Sequence, residues 1–275
     1  MTPLKTSDSS NAPDKGEIAD FYDDFSKRLV RDYVRGNPRI EAAIARVNGA
    51  LSANVKSILD VGCGIGWSSA EYANACADVT VLGVDISPRN IEIAKRLFQA
   101  PRVDFRVSDM TDGLDGRSFD LIALLDVYEH FPAAERGTFH RVLGELLSED
   151  GTMVITTPSR LHQEWLAENN PNGLQVVDEI VTYDDICRLA NDLNADVMHF
   201  ELVSIWHSND YMHTVLQRGP VFGKLPKQRV SSRPLIRRLL SKVTRGFRGG
   251  PQNKREARLK HVRDALGIEI ESIQA

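Results

Sequence analysis

The chain has 275 residues, 42% of them hydrophobic and 26% charged, with a formal net charge of −4. That length fits one medium domain with additions at both ends, and the composition is that of an ordinary globular protein. No apolar run approaches the roughly 18 residues that span a bilayer, the first residues lack the apolar stretch of a secretory signal, and Cys63, Cys76 and Cys187 show no metal-ligand spacing, so a cytoplasmic protein with reduced thiols is expected.

Residues 1–16 are polar and rich in Ser, Asp and Pro, and are expected to be a disordered tail. Over 17–36, Ile18, Phe21, Phe25, Leu29, Tyr33 and Val34 recur at helical spacing, and a second helix is expected over 38–47 with Ile40, Ala43, Ile44 and Val47 on one face. Residues 17–54 thus read as a helical cap ahead of the main domain.

From Ser57, apolar runs alternate with helical patterns, which argues for a parallel sheet with helices on both faces. The first run, Ser57–Val61, contains Asp60 and leads into Gly62-Cys63-Gly64-Ile65-Gly66 and a helix over 67–77. Glycines in such a loop permit positive φ and leave no Cβ to obstruct a ligand, and the helix start adds free N–H groups. The spacing G-x-G-x-G differs from the dinucleotide fingerprint G-x-G-x-x-G, and the Gly-Lys-Ser/Thr ending of a phosphate loop is absent. An acid at the strand tip, Asp60, suits a cationic ligand. The second run, Thr80–Asp85, also ends in an acid, and a carboxylate there can accept hydrogen bonds from the ribose hydroxyls of an adenosine. Ile86 and then Ser87-Pro88, an N-cap with proline at the first helical position, open a helix to Gln99. Val103–Val107 leads to Ser108-Asp109-Met110. Phe119–Leu125 leads to Asp126-Val127-Tyr128-Glu129-His130.

A helix over 133–147 follows, then a turn at Glu149-Asp150-Gly151 and a fifth strand over 152–157. Residues 158–181 have weak periodicity, and a connection of that length is unusual unless functional. A helix over 182–193 starts at the N-cap Thr182. Strands over 197–206 and 211–218 flank His207-Ser208-Asn209-Asp210. Residues 220–275 form a basic extension: 224–275 hold 14 Lys and Arg against four acids, which leaves 20 basic and 34 acidic residues elsewhere. Within it, Leu235, Ile236, Leu239, Leu240, Val243 and Phe247 fall on one helical face. Such a helix over 234–248 fits peripheral contact with an anionic membrane face, or packing on the body or on a second copy as a homodimer.

The Asp60–Gly66 motif, the strand-two acid Asp85, Ser108-Asp109-Met110 and Glu129-His130, in this order and spacing, resemble the class I S-adenosylmethionine-dependent methyltransferases over about residues 55–219. The resemblance implies a Rossmann-like α/β fold, a seven-stranded mostly parallel sheet whose last two strands form an antiparallel hairpin at one edge. It implies S-adenosyl-L-methionine as cofactor, with the Gly62, Cys63, Gly64 and Gly66 loop at the methionine part, Asp85 at the ribose, and Asp109 and Met110 flanking the adenine. Asp60, Ile86 and Leu125 complete the cofactor-binding set, and the segment from Leu125 to His130 lies between cofactor and acceptor. In the family the N-terminal helices cover the cofactor, and the segment after strand five shapes the acceptor pocket.

Methyl transfer to a hydroxyl needs alignment and proton removal. His130 is the candidate general base, because it follows strand four at the carboxyl edge of the sheet and titrates near neutral pH. Glu129 and Asp126 are secondary catalytic candidates. Asp126 and Glu129 with His207 or His162 lack dense ligand spacing, and no metal is expected. His207, Asp210 and His213 read as solvated turn residues, His140 and His199 as a helix-surface and a strand residue, and His261 as a tail residue without a role. The Asn/Asp-Pro-Pro-Tyr/Phe signature of base methylation is missing after strand four, and no nucleic-acid partner is expected.

The helix with Phe21-Tyr22-Asp23-Asp24-Phe25, followed by Asn37-Pro38-Arg39, loosely resembles methyltransferases of bacterial polysaccharide and secondary-metabolite pathways. The expected function is methylation of a hydroxyl on a sugar, glycan or lipid-linked acceptor. The alternatives are a small-molecule O-, N- or C-methyltransferase and a non-catalytic cofactor-binding scaffold.

Overall fold

A computed structural model describes residues 26–110, 113–114, 116–171, 178–220 and 251–267. The tail over 1–16, the first part of the helix over 17–36 and the basic helix over 234–248 lie outside the described residues.

The sheet has seven strands: β1 (Ser57–Val61), β2 (Thr80–Asp85), β3 (Val103–Val107), β4 (Phe119–Leu125), β5 (Leu147–Pro158), β6 (Ala195–Val203) and β7 (Tyr211–Arg218), in the order β3-β2-β1-β4-β5-β7-β6. The first five pair in parallel, while β7 runs antiparallel to both β5 and β6. The expected sheet and edge hairpin are therefore present. The order reverses between β1 and β4, and open α/β sheets bind ligands at the carboxyl ends of strands around such a switch.

Side chains of each central strand alternate between two cores. Ile58, Val81, Leu121 and Val154 face one layer, made by helices α1 (26–35), α2 (Pro38–Ala50), α3 (Trp67–Ala75), α4 (Pro88–Phe98) and α8 (Pro251–Leu266). Leu59, Leu82, Ile122 and Met153 face the other, made by α5 (Arg136–Leu146) and α7 (Tyr183–Asp192). Between them in sequence, α6 (Arg160–Asn169) buries only Gln163. That explains its weak periodicity: its start is set by the Ser159 cap, whose hydroxyl accepts from His162 N.

Several boundaries differ from the sequence reading. Glu149-Asp150-Gly151 is extended, not a turn, because β5 begins at Leu147 and pairs with Phe119 across an irregularity in the ladder. Arg218 fixes this start by donating to the carbonyls of Leu147, Gly144 and Leu193. β6 ends at Val203, because Asp210 accepts from the amides of Ile205, Trp206 and His207 and pulls them into a turn. No helix among the described residues is long and apolar enough to cross a membrane.

Candidate functional site

The glycine loop joins β1 to α3 with Gly62, Gly64 and Gly66 all at positive φ. The reason for two of these glycines is packing. A Cβ on Gly62 would sit 2.3 Å from Val127 Cγ2, and one on Gly66 would sit 2.6 Å from the Phe105 ring. The loop is thereby pressed against the segment after β4 and against β3. Gly64 carries the polar contact: its N–H donates to Asp85 Oδ2 at 2.8 Å. Asp85 Oδ1 in turn accepts from Ser87 N at 2.9 Å and Asn90 Nδ2 at 3.2 Å. The two strand tips are tied together at one buried carboxylate.

Asp60 lies beneath this loop, 1% exposed, and its Oδ2 accepts from the hydroxyls of Ser68 and Ser69 at 2.6 and 2.5 Å. Burial pushes its pKa up, the two hydroxyls pull it down and Asp85 pushes it up again, for a net value of about 6. This folded value exceeds the unfolded value of about 3.9. The native chain therefore holds an extra proton between those limits. The stability this gives is full below about pH 4 and lost as pH rises through about 6. Wild type should lose on the order of 2–3 kcal/mol relative to Asp60→Asn across that window. Urea denaturation of both proteins at pH 4.5 and pH 7 checks this, and parallel pH profiles would overturn it.

The segment after β4 brings the acids and His130. Asp126 sits at φ +55, a left-handed backbone that is rare outside glycine. It is ion-paired with Arg39 of α2. Burial lowers the Arg39 pKa, but Asp126, then Tyr211 and Glu129, raise it further, so the guanidinium stays charged. Glu129 is 1% exposed, and its Oε2 has no hydrogen-bond partner. Burial, followed by the neighbouring Asp126, holds its carboxyl well above the usual range. His130 Nδ1 lies 3.7 Å from Asp178 Oδ1.

One cleft joins these parts, with about 790 Å³ of empty space including its open mouth. Gly62, Cys63, Gly64, Asp85, Leu125, Asp126 and His130 line it, together with Leu29, Arg39 and Ile40 of the cap and Trp67, Ser68 and Asn90. Seven of the expected site residues thus meet. Asp60, Gly66, Ile86, Asp109, Met110 and Glu129 are not in its lining: Asp60 and Glu129 are buried behind it, Gly66 caps α3, and Met110 is 2% exposed within the second core. Among the described residues no cluster of three His, Cys, Asp or Glu side chains could hold a metal ion.

Beyond Arg39, Tyr211 is buried with its ring 6.0 Å from the Arg39 guanidinium. The His162 and Trp206 rings lie 5.9 and 6.0 Å from Tyr211, and Trp165 and His207 extend the group outward at 5.5 Å from each other. Trp165 and Trp206 remain about half exposed, at 46% and 51%. An aromatic ledge therefore runs from the cleft to the surface at the carboxyl end of β5.

Several histidine and acid readings change. His140 is 2% exposed, not on a helix surface, bonded to Tyr128 OH at 2.8 Å and Asp192 Oδ2 at 2.6 Å. His213 lies within β7, 3% exposed, where burial and then Arg46 lower its pKa to about 4. Asp210 is buried and binds three amides. His261 is hydrogen-bonded to Tyr33 OH and to the Leu97 carbonyl. Arg39 was missed, although a cation in the first turn of a helix opposes the dipole and calls for an acid nearby.

The family described as "Methyltransferase domain" matches residues 58–151. The chain is 38% identical over 106 residues to a ubiquinone biosynthesis O-methyltransferase of Azorhizobium caulinodans, covering 38% of this chain and 40% of that protein. It is 36% identical over 103 residues to a magnesium-protoporphyrin O-methyltransferase of Rhodobacter capsulatus, covering 36% and 43%. The chain spans less than two thirds of the length of these relatives. The structure is similar to magnesium protoporphyrin IX methyltransferase of Synechocystis PCC 6803 with bound SAH, with a TM-score of 0.60 at 20% identity, covering 74% of this chain and all of that one. At that identity the likeness speaks for the fold.

Proposed function

Residues 58–151 are a methyltransferase domain of the class I S-adenosylmethionine-dependent kind, and from that premise we propose that the chain methylates a hydroxyl on an acceptor with a planar, largely apolar body. The observation behind it is the single cleft in which the glycine loop, Asp85, Arg39, Asp126 and His130 meet. These residues fit the cofactor: Asp85 suits the ribose hydroxyls, Arg39 suits the carboxylate, and the apolar Leu29 and Ile40 suit the adenosine or thioether surface. When bound, S-adenosylmethionine supplies a methyl group already activated by its sulfonium.

The chain's own contribution is position and proton removal. His130 stands in the cleft beside Asp178, which is placed to orient the ring and to stabilise it once protonated. The aromatic ledge and the relatives' names favour a conjugated acceptor; neither supports the sugar or glycan of the sequence reading. Flat aromatic side chains bind such a body by stacking.

The test is SAH production from S-adenosylmethionine with two acceptor panels, phenols with catechols and simple sugars, by wild type and His130→Ala. Phenol methylation by wild type is expected, and turnover in His130→Ala should fall about 10²–10⁴-fold with cofactor affinity kept. Turnover on sugars alone would overturn the acceptor class. Full His130→Ala activity across pH 6–9 would remove His130 as base.

A further inference from the structure

Resting on that cofactor reading, we infer that the C-terminal helix α8 is part of the cofactor site, with Arg258 and His261 as positioning residues for the cleft wall. Leu29 of α1 and Trp67, the residue after the glycine loop, both line the cleft. They are linked by Tyr33 of α1, whose ring meets Trp67 edge-on at 5.6 Å. Arg258 covers this joint. Its guanidinium lies 4.7 Å from the Trp67 ring and 5.0 Å from the Tyr33 ring, and its Nη1 donates to Tyr33 O at 2.9 Å.

His261 pins the same residue from the other side. Its Nε2 lies 2.9 Å from Leu97 O, a carbonyl that can only accept, so Nε2 donates. The other nitrogen, Nδ1, then accepts from Tyr33 OH at 3.1 Å in the neutral ring. Val262 and Leu266 anchor α8 in the core shared with α1 and α4. Thus α1 is held over the cleft by a helix more than 200 residues away in sequence. Binding is reciprocal: a ligand seated against Leu29 and Trp67 stabilises the docked α8, and a docked α8 tightens the ligand.

The experiment is calorimetry and stopped-flow with SAH on full-length wild type, Arg258→Met and Arg258→Lys, alongside hydrogen exchange of wild type with and without SAH. Arg258→Met keeps the apolar stem and removes the cation, and should bind SAH about tenfold more weakly, chiefly through faster dissociation. Arg258→Lys should recover part of that loss. In wild type, SAH should slow exchange over 251–266 more than over α5, which packs on the opposite sheet face. Wild-type affinity in Arg258→Met, or protection of 251–266 no greater than that of α5, would overturn the inference while leaving the cofactor reading standing. No SAH binding by wild type would overturn both.

Discussion

Asp85→Ala should bind S-adenosylmethionine about 10²–10³-fold more weakly than wild type. The carboxylate is 8% exposed and accepts from Gly64 N, Ser87 N and Asn90 Nδ2. Its removal deprives the proposed ribose of its acceptor and leaves those three donors without theirs. Hydrogen bonds to a charged group contribute about 1.5–3 kcal/mol each, and a 10²–10³-fold loss is about 2.7–4.1 kcal/mol, so one or two lost bonds account for it. Titration calorimetry on a variant shown by circular dichroism to be folded is the measurement. Wild-type affinity would remove Asp85 from the cofactor site.

Gly62→Ala should destabilise the fold by about 3 kcal/mol and lower Tm by roughly 10 °C. Two costs combine. The backbone at φ +66 disfavours any Cβ by roughly 1–2 kcal/mol. The new methyl also lies 2.3 Å from Val127 Cγ2, which must move, and overpacking of this kind costs about 1–3 kcal/mol. Because Val127 directly follows Asp126, the shift reaches the Arg39 ion pair and His130. Val127→Ala should relieve the overpacking but not the backbone cost, so the two substitutions are non-additive. A double-mutant cycle in urea measures this, and equal penalties in both Val127 backgrounds would discard the packing account.

The chain order of parallel strands and helices was legible because short apolar runs alternate with helical patterns, and local pattern sets both strand and turn; the seven strands and the edge hairpin came from the family resemblance. The meeting of Gly62, Gly64, Asp85, Asp126 and His130 followed from that order, since all sit at carboxyl ends of neighbouring strands. What was not legible came from long-range pairing. Arg39 reaches Asp126 across 87 residues, Asp178 reaches His130 from beyond α6, and Arg258 and His261 meet Tyr33 over more than 220. No spacing rule connects such positions. The glycine loop was half understood: positive φ was expected, but the space left at Gly62 and Gly66 is filled by Val127 and Phe105 rather than kept open for a ligand. His140 escaped because one buried polar side chain in an amphipathic helix looks the same in sequence as a solvated one.

The Arg39–Asp126 pair sets the terms on which any carboxylate enters the cleft. The guanidinium there already has an anion, so an incoming carboxylate displaces one partner rather than capturing a bare charge. The number of paired ions inside is unchanged, and affinity should depend only weakly on ionic strength.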